Sequence, residues 1–160
     1  MVFKGDIIKP EEIKPDTQLC TIIGYNAQTG KSRKYFNAIM KHSEINATAI
    51  ALNIKDDNFD FMMKSLASSP VKRMIVEDDF QKNILKYLQS NNFEYVDFIE
   101  VIDGDIIGYN LDKEVDNLVE NPKFVDVNMR LAIKMLIIAN RWYDIKIDMD
   151  LIPTILSTSP

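Results

Sequence analysis

One cysteine, one histidine and five glycines are all that the 160 residues hold of three types on which many active sites are built. With Cys20 alone no intramolecular disulfide can form, and a zinc site has too few Cys and His donors. No metal site is expected. Cys20 lies inside the apolar run from Leu19 to Ile23, where a free thiol serves as a small core side chain. A single buried cysteine suits a reducing cytoplasm, the expected location. His42 falls near the end of a predicted helix, where a cation meets the negative end of the dipole, which is not a setting for a base or a metal ligand. Positive charge is also short: 19 Lys and Arg against 24 Asp and Glu leave a net charge of -5, which argues against a nucleic-acid partner. Long hydrophobic runs are missing. Leu131 to Ala139 is cut by Lys134 and falls far short of the roughly 20 apolar residues that cross a bilayer, so no membrane partner is expected. The opening Met-Val-Phe-Lys-Gly-Asp6 lacks the apolar stretch of a signal peptide.

What is there suits one domain: 46% of the residues are hydrophobic and 27% charged, an ordinary balance for a globular chain. Residues 1–18, with Pro10, Pro15 and many charges, read as a lead-in arm with an edge strand at 6–9, and residues 19–160 as a single domain. Residues 19–25 suit a buried strand, and 32–42 place Tyr35, Phe36, Ile39 and Met40 on one helical face. A strand at 47–54, a helix at 56–67 with Phe59, Met62, Met63 and Leu66 inward, and a strand at 71–76 follow. The spacing then predicts a helix over 78–88 burying Ile84, Leu85 and Leu88, with Asp56 and Asp78 at helix starts, where a carboxylate meets free N–H groups. Runs at 95–102 and 106–110 flank Asp103-Gly104, and an Asp-Gly pair between apolar runs is a strong hairpin signal. The sheet is therefore expected to be mixed. From Asp112 onward the pattern is helical, with an apolar face through Met129, Ile133, Leu136, Ile137 and Asn140, then a last helix over 148–156. Trp142 and the eight methionines read as core.

Gly24-Tyr-Asn-Ala-Gln-Thr-Gly-Lys-Ser32, between a strand and a helix, invites a phosphate-loop reading, and Met74-Ile-Val-Glu-Asp-Asp79 looks like the strand with terminal carboxylates that helps hold magnesium. The spacing fails. The motif needs four residues between its glycines, and Gly24 and Gly30 enclose five, which spoils the convergence of N–H groups on one anion. A solvated Lys31 beside a helix-capping Ser32 accounts for the same residues, leaving nucleotide binding through Gly30-Lys31-Ser32 as a minor alternative.

The same segment, from Ile22 to Asn37, resembles the opening of shikimate dehydrogenases, in which a strand ends in Gly, a loop carries a Ser-x-Ser pair and the next helix holds His-Asn. Gly24, Ser32 and Asn37 match; Gly30 stands for the first serine and Phe36 for the histidine. Asp103-Gly104 followed by Gly108-Tyr-Asn-Leu-Asp112 is similar to the family's hairpin and Gly-Tyr-Asn-Thr-Asp strand, which matches Asp112 to the catalytic aspartate. Leu131 to Trp142 looks like the family's last helices, with Lys134 in place of a substrate-contacting glutamine. The resemblance covers roughly Leu19 to Leu156 and implies an α/β domain, a mixed sheet flanked by helices, like the family's substrate-binding domain. It departs from the family at one decisive place. Where the family inserts a whole NADP-binding domain, only Lys113 to Asn128 stands here, too little for a unit of on the order of 100 residues. No cofactor is expected.

The resemblance also implies a changed pocket. It puts Arg73 at a family asparagine, Ile75 at a threonine, Glu77 at a proline, Asp79 at the catalytic lysine and Asp97 at a second asparagine. The acid-base pair is lost, although Lys82, one turn on, could reach back. No catalytic residue is assigned. The ligand-binding residues so implied are Gly30, Ser32, Arg73, Asp79, Asp97, Asp112 and Lys134. Ordinary structural duties also fit the carboxylates: Asp79 in a first helical turn, Asp97 on a solvent face, Asp112 as a helix cap. Three carboxylates in one pocket must raise a pKa, pair with Arg73 or Lys134, or bind a cation. The expectation is a domain that binds an unknown small molecule without dehydrogenase activity of its own. The alternative is an interaction protein with a protein partner and a vestigial pocket.

Overall fold

The side chains of β1 (Gln18–Gly24) alternate between two cores, as the period of a strand requires: Cys20 and Ile22 enter one and Ile23 the other. The computed structural model describes residues 14–90 and 92–158, so the strand expected at 6–9 lies outside the described residues. β2 (Ala47–Asn53) and β3 (Arg73–Val76) flank β1 in parallel, while β4 (Phe98–Ile102) and β5 (Asp105–Tyr109) extend the sheet antiparallel beyond β3. The order β2-β1-β3-β4-β5 makes the expected mixed sheet. The hairpin is where the sequence puts it, with Asp103 at φ 50° and Gly104 at φ 84°, the two positive values that a twist-matched two-residue turn needs.

Helices cover both faces. α1 (Lys31–His42) buries Tyr35, Phe36, Ile39 and Met40 on one, and α2 (Asp56–Ser65) buries Phe59 and Met63 on the other. α3 (Leu111–Leu118), α4 (Val127–Tyr143) and α5 (Ile152–Leu156) join α1. α4 is the principal support of that layer, burying Ile133, Leu136 and Ile137 as expected, each such side chain contributing about 1.5–3 kcal/mol. Asn140, assigned to the same face by its spacing, is exposed, and Trp142 is half-buried, stacked on Phe98 with its indole N–H donating to Glu100 at 2.8 Å. Among the described residues no helix is long and apolar enough to cross a membrane.

The helix expected over 78–88 does not form. Two short 3-10 segments, Asp78–Phe80 and Asn83–Tyr87, stand there instead, burying Phe80 and Ile84 while Leu85 and Leu88 stay half-buried. The cause is a diverted acceptor: the Gln81 carbonyl takes the N–H of Val96 at 3.0 Å, so it is not free for the helical ladder, and Leu85 bonds Lys82 in a tighter turn. The caps differ too. α2 is preceded by Lys55 and the first 3-10 segment by Glu77, with Asp56 and Asp78 inside the first turns and no side-chain cap at either end.

Gly24 is required by close approach. A Cβ there would lie 2.8 Å from the Cβ of Glu77 and 2.9 Å from its Cγ, atoms near the backbone that have little room to yield. Gly24→Ala is therefore expected to destabilise the fold by about 1–3 kcal/mol, read as a lower urea midpoint at unchanged slope. An unchanged midpoint would show that Glu77 is not fixed against β1.

Candidate functional site

At the carboxyl ends of β1 and β3 the chain just before β4 brings in Asp97, whose backbone bonds Val76 on one side and Tyr109 on the other. Asp97 is only 4% exposed, not on the solvent face, because it has a dedicated duty. Its Oδ1 accepts the Leu111 N–H at 2.7 Å and its Oδ2 the Asp112 N–H at 3.0 Å, the unpaired donors that begin α3. The side chain of Asn110 completes that end by accepting from the Lys113 N–H at 2.9 Å. Asn110, not Asp112, is the cap.

Asp112 is thereby free to face the cleft. Its carboxylate accepts from the Tyr95 hydroxyl at 2.7 Å, and Arg130 and Lys134, one turn apart on α4, approach it at 3.3 and 3.4 Å. Lys134 Nζ lies closer still to Asp97 Oδ2, at 2.9 Å, and Arg130 also binds Asp116 at 2.8 Å. Burial opposes the charge on Asp112, but Tyr95, Lys134 and Arg130 outweigh it and hold the carboxyl below its ordinary range. Burial likewise opposes the charge on Lys134, and Asp97 and Asp112 overcome it, raising the ammonium pKa. Burial and the Asp112 carboxylate push the Tyr95 phenol up to about 12.

Asp97, Asp112, Arg130 and Lys134 border a cavity of about 250 Å³ that also takes in Ser32, Glu77 and Gln81. Ser32 Oγ is buried with no hydrogen-bond partner, although it lies near enough to the Glu77 carboxylate to lower its pKa. The net shift of Glu77 is nevertheless upward, from burial first and from the charges of Asp78 and Asp79. A second, open depression of about 510 Å³ shares Asp112 and Lys134 and adds Asp79, Lys82 and Tyr95.

The structure thus brings Ser32, Asp97, Asp112 and Lys134 together and sets Asp79 at the outer rim, where its carboxylate accepts the Tyr25 N–H at 2.8 Å. Among the described residues no three acidic, Cys or His side chains are placed to share a metal ion. Gly30 does not line the cavity; it is the extended residue before α1, beside the Glu77 carboxylate. Arg73 lies outside. It stands at the amino end of β3, four residues or about 13 Å of strand from Glu77. There its guanidinium sits over Tyr143 at 5.3 Å, with Nε 3.8 Å from Glu100. The candidate phosphate loop is a 3-10 turn, Ala27–Thr29, with Lys31 bound to Asn128 at 3.0 Å and Glu77 facing the start of α1, where like charge opposes a phosphate. Tyr95, Gln81 and Arg130 are not among the expected site residues, and Glu77 enters the sequence reading only as a replaced proline and as a carboxylate ending the run from Met74 to Asp79; the one sequence signal is the i, i+4 spacing of Arg130 and Lys134.

No family model matches the sequence and no curated protein is similar to it at the sequence level. Solved structures are. A shikimate dehydrogenase from Aquifex aeolicus superposes with a TM-score of 0.60 at 20% identity, over 78% of this chain and 53% of that one. The chain has a shikimate dehydrogenase-like fold. A shikimate 5-dehydrogenase from Listeria monocytogenes, in complex with shikimate and NAD, gives 0.59 at 19% identity, over 66% of this chain and 38% of that one. A 5-ketofructose reductase from Gluconobacter shares the fold at 0.58 and 14% identity, over 72% and 43%. The chain therefore spans about half or less of the length of these shikimate dehydrogenase-like structures.

A carboxyl held below its ordinary pKa contributes stability above the unfolded value, and that contribution is lost as pH falls through the folded value. Asp112 is such a group, with an ordinary value of 3.8. Asp112→Asn is accordingly expected to be less stable than the wild type at pH 6, with the gap narrowing below about pH 4, read from urea midpoints across the range. A gap independent of pH would show that Asp112 is not held ionised by its neighbours.

Proposed function

We propose that this is a small-molecule-binding domain that has no dehydrogenase activity of its own and holds its ligand in the cleft between β3, α3 and α4. The observation that carries the reading is Ser32 Oγ, buried beside the Glu77 carboxylate with no hydrogen bond of ordinary geometry, on the wall of a cavity whose Asp97, Asp112, Arg130 and Lys134 are fixed by mutual pairing. An orphaned hydroxyl in a preformed polar cavity calls for a partner from outside the chain. Ser32, Asp97, Asp112 and Lys134 are the ligand-binding residues of this reading, with Asp79 at the rim and Arg73 excluded by its place on β3.

The chemistry of a dehydrogenase does not fit these residues. Asp79 replaces the lysine that the resemblance implies, and Lys134, its pKa raised between two carboxylates, keeps its proton. Four carboxylates, Glu77, Asp78, Asp97 and Asp112, line the inner cavity against two cations, Arg130 and Lys134. An anionic acid such as shikimate is therefore disfavoured, since both cations are already engaged. A second reading, a protein partner seated at the mouth of the cleft, draws on Phe124 and Val127, which are 86% and 81% exposed.

Titration calorimetry with shikimate is expected to give no binding tighter than about 1 mM, and the protein with shikimate and NADP is expected to produce no NADPH. Micromolar affinity or turnover would contradict the proposal.

A further inference from the structure

We propose that the ligand of the cleft is a small organic cation, a primary amine whose ammonium pairs with Glu77 while a polar group of the same molecule reaches Ser32. This rests on the reading of the cleft as a small-molecule site and names the class of ligand. The inner cavity is a closed account of charges except at one place. Asp97 is paired with Lys134, Asp112 with Lys134 and Arg130, and Arg130 also with Asp116. Glu77 makes no ion pair among the described residues, although it is half-buried and lines the same cavity. Asp78, its neighbour, is exposed to solvent.

Glu77 is also held in position. Gly24 leaves no space between β1 and the Glu77 Cβ, and Gly30 admits the carboxylate beside the start of α1, where a Cβ would stand 3.4 Å from Oε1. A carboxylate fixed in this way needs no reordering to receive a cation, which favours binding. Ser32 Oγ lies next to it, able to donate to one group and accept from another. The remaining walls, including Ile75, Leu111, Met135 and Ile138, are apolar and suit the hydrocarbon part of an amine. An anion would have to displace Lys134 or Arg130 from existing partners; an ammonium displaces nothing.

Three probes of one shape separate the possibilities: cyclohexylamine, cyclohexanol and cyclohexanecarboxylate, titrated into the full chain and followed by protein-observed NMR of the cleft resonances. Cyclohexylamine is expected to bind about tenfold more tightly than the alcohol, the excess of a charge-assisted contact over a neutral one, with the carboxylate weakest. Glu77→Gln, which keeps shape and removes a carboxylate that burial disfavours, is expected to remain folded and to lose the preference for the amine. Ser32→Ala is expected to leave the order of the three unchanged, since none of them carries a second polar group to reach that hydroxyl. If the alcohol or the carboxylate binds in the cleft as well as the amine does, the small-molecule reading stands and the cationic class is overturned. Equal amine affinity in Glu77→Gln overturns it too. If none of the probes shifts a cleft resonance, both readings fail.

Discussion

Asp97 is the residue on which the rest of the structure depends. One buried carboxylate accepts the first two N–H groups of α3 and pairs with the ammonium of Lys134, so it joins the edge of the antiparallel hairpin, the start of one helix and the middle of another. A carboxylate so placed is tolerable only because both of its oxygens have donors, one on Oδ1 and two on Oδ2; with one partner removed, an uncompensated charge would remain in a site 4% exposed. The turn from β5 into α3 and the seating of α4 against the sheet follow from satisfying it.

That arrangement also decides the electrostatics of the cleft. Lys134 would be an attractive contact for an anionic substrate, but two carboxylates hold it, and Arg130 is held in the same way. The positive charge on α4 therefore serves the protein's own carboxylates. What remains in the proposed ligand site is the hydroxyl of Ser32, on the helix that follows β1, and Glu77 just past β3, which has no ion pair among the described residues. This is the edge at which open α/β sheets place ligands, here in a mixed sheet with two parallel pairings among the described residues.

Much of this was legible in the sequence wherever local pattern and long-range packing agree. Alternating or continuous apolar runs marked the strands, Asp103-Gly104 marked the hairpin, and the spacing of Ile133, Leu136 and Ile137 marked the buried face of α4. The failures share a cause. The Gln81 carbonyl is taken by Val96, fifteen residues on, and Asp97 is buried by N–H groups fourteen and fifteen residues away, partners that no local window reveals. Arg73 was placed in the pocket by its position in a motif, but a strand carries its two ends to opposite edges of a sheet, and the cleft is at the other end. Glu77 stood in the sequence as one acid among three, and only the packing of Gly24 and Gly30 around it sets it apart.

The most direct test of the account is a double-mutant cycle between Asp97 and Lys134, using Asp97→Asn, Lys134→Met and the pair, with stability read from urea unfolding. Held together as described, the two residues should show a coupling of about 1.5 kcal/mol or more, with each single variant more damaging than the pair implies. Additivity within about 0.5 kcal/mol would contradict the claim that this one ion pair organises both the fold and the cleft.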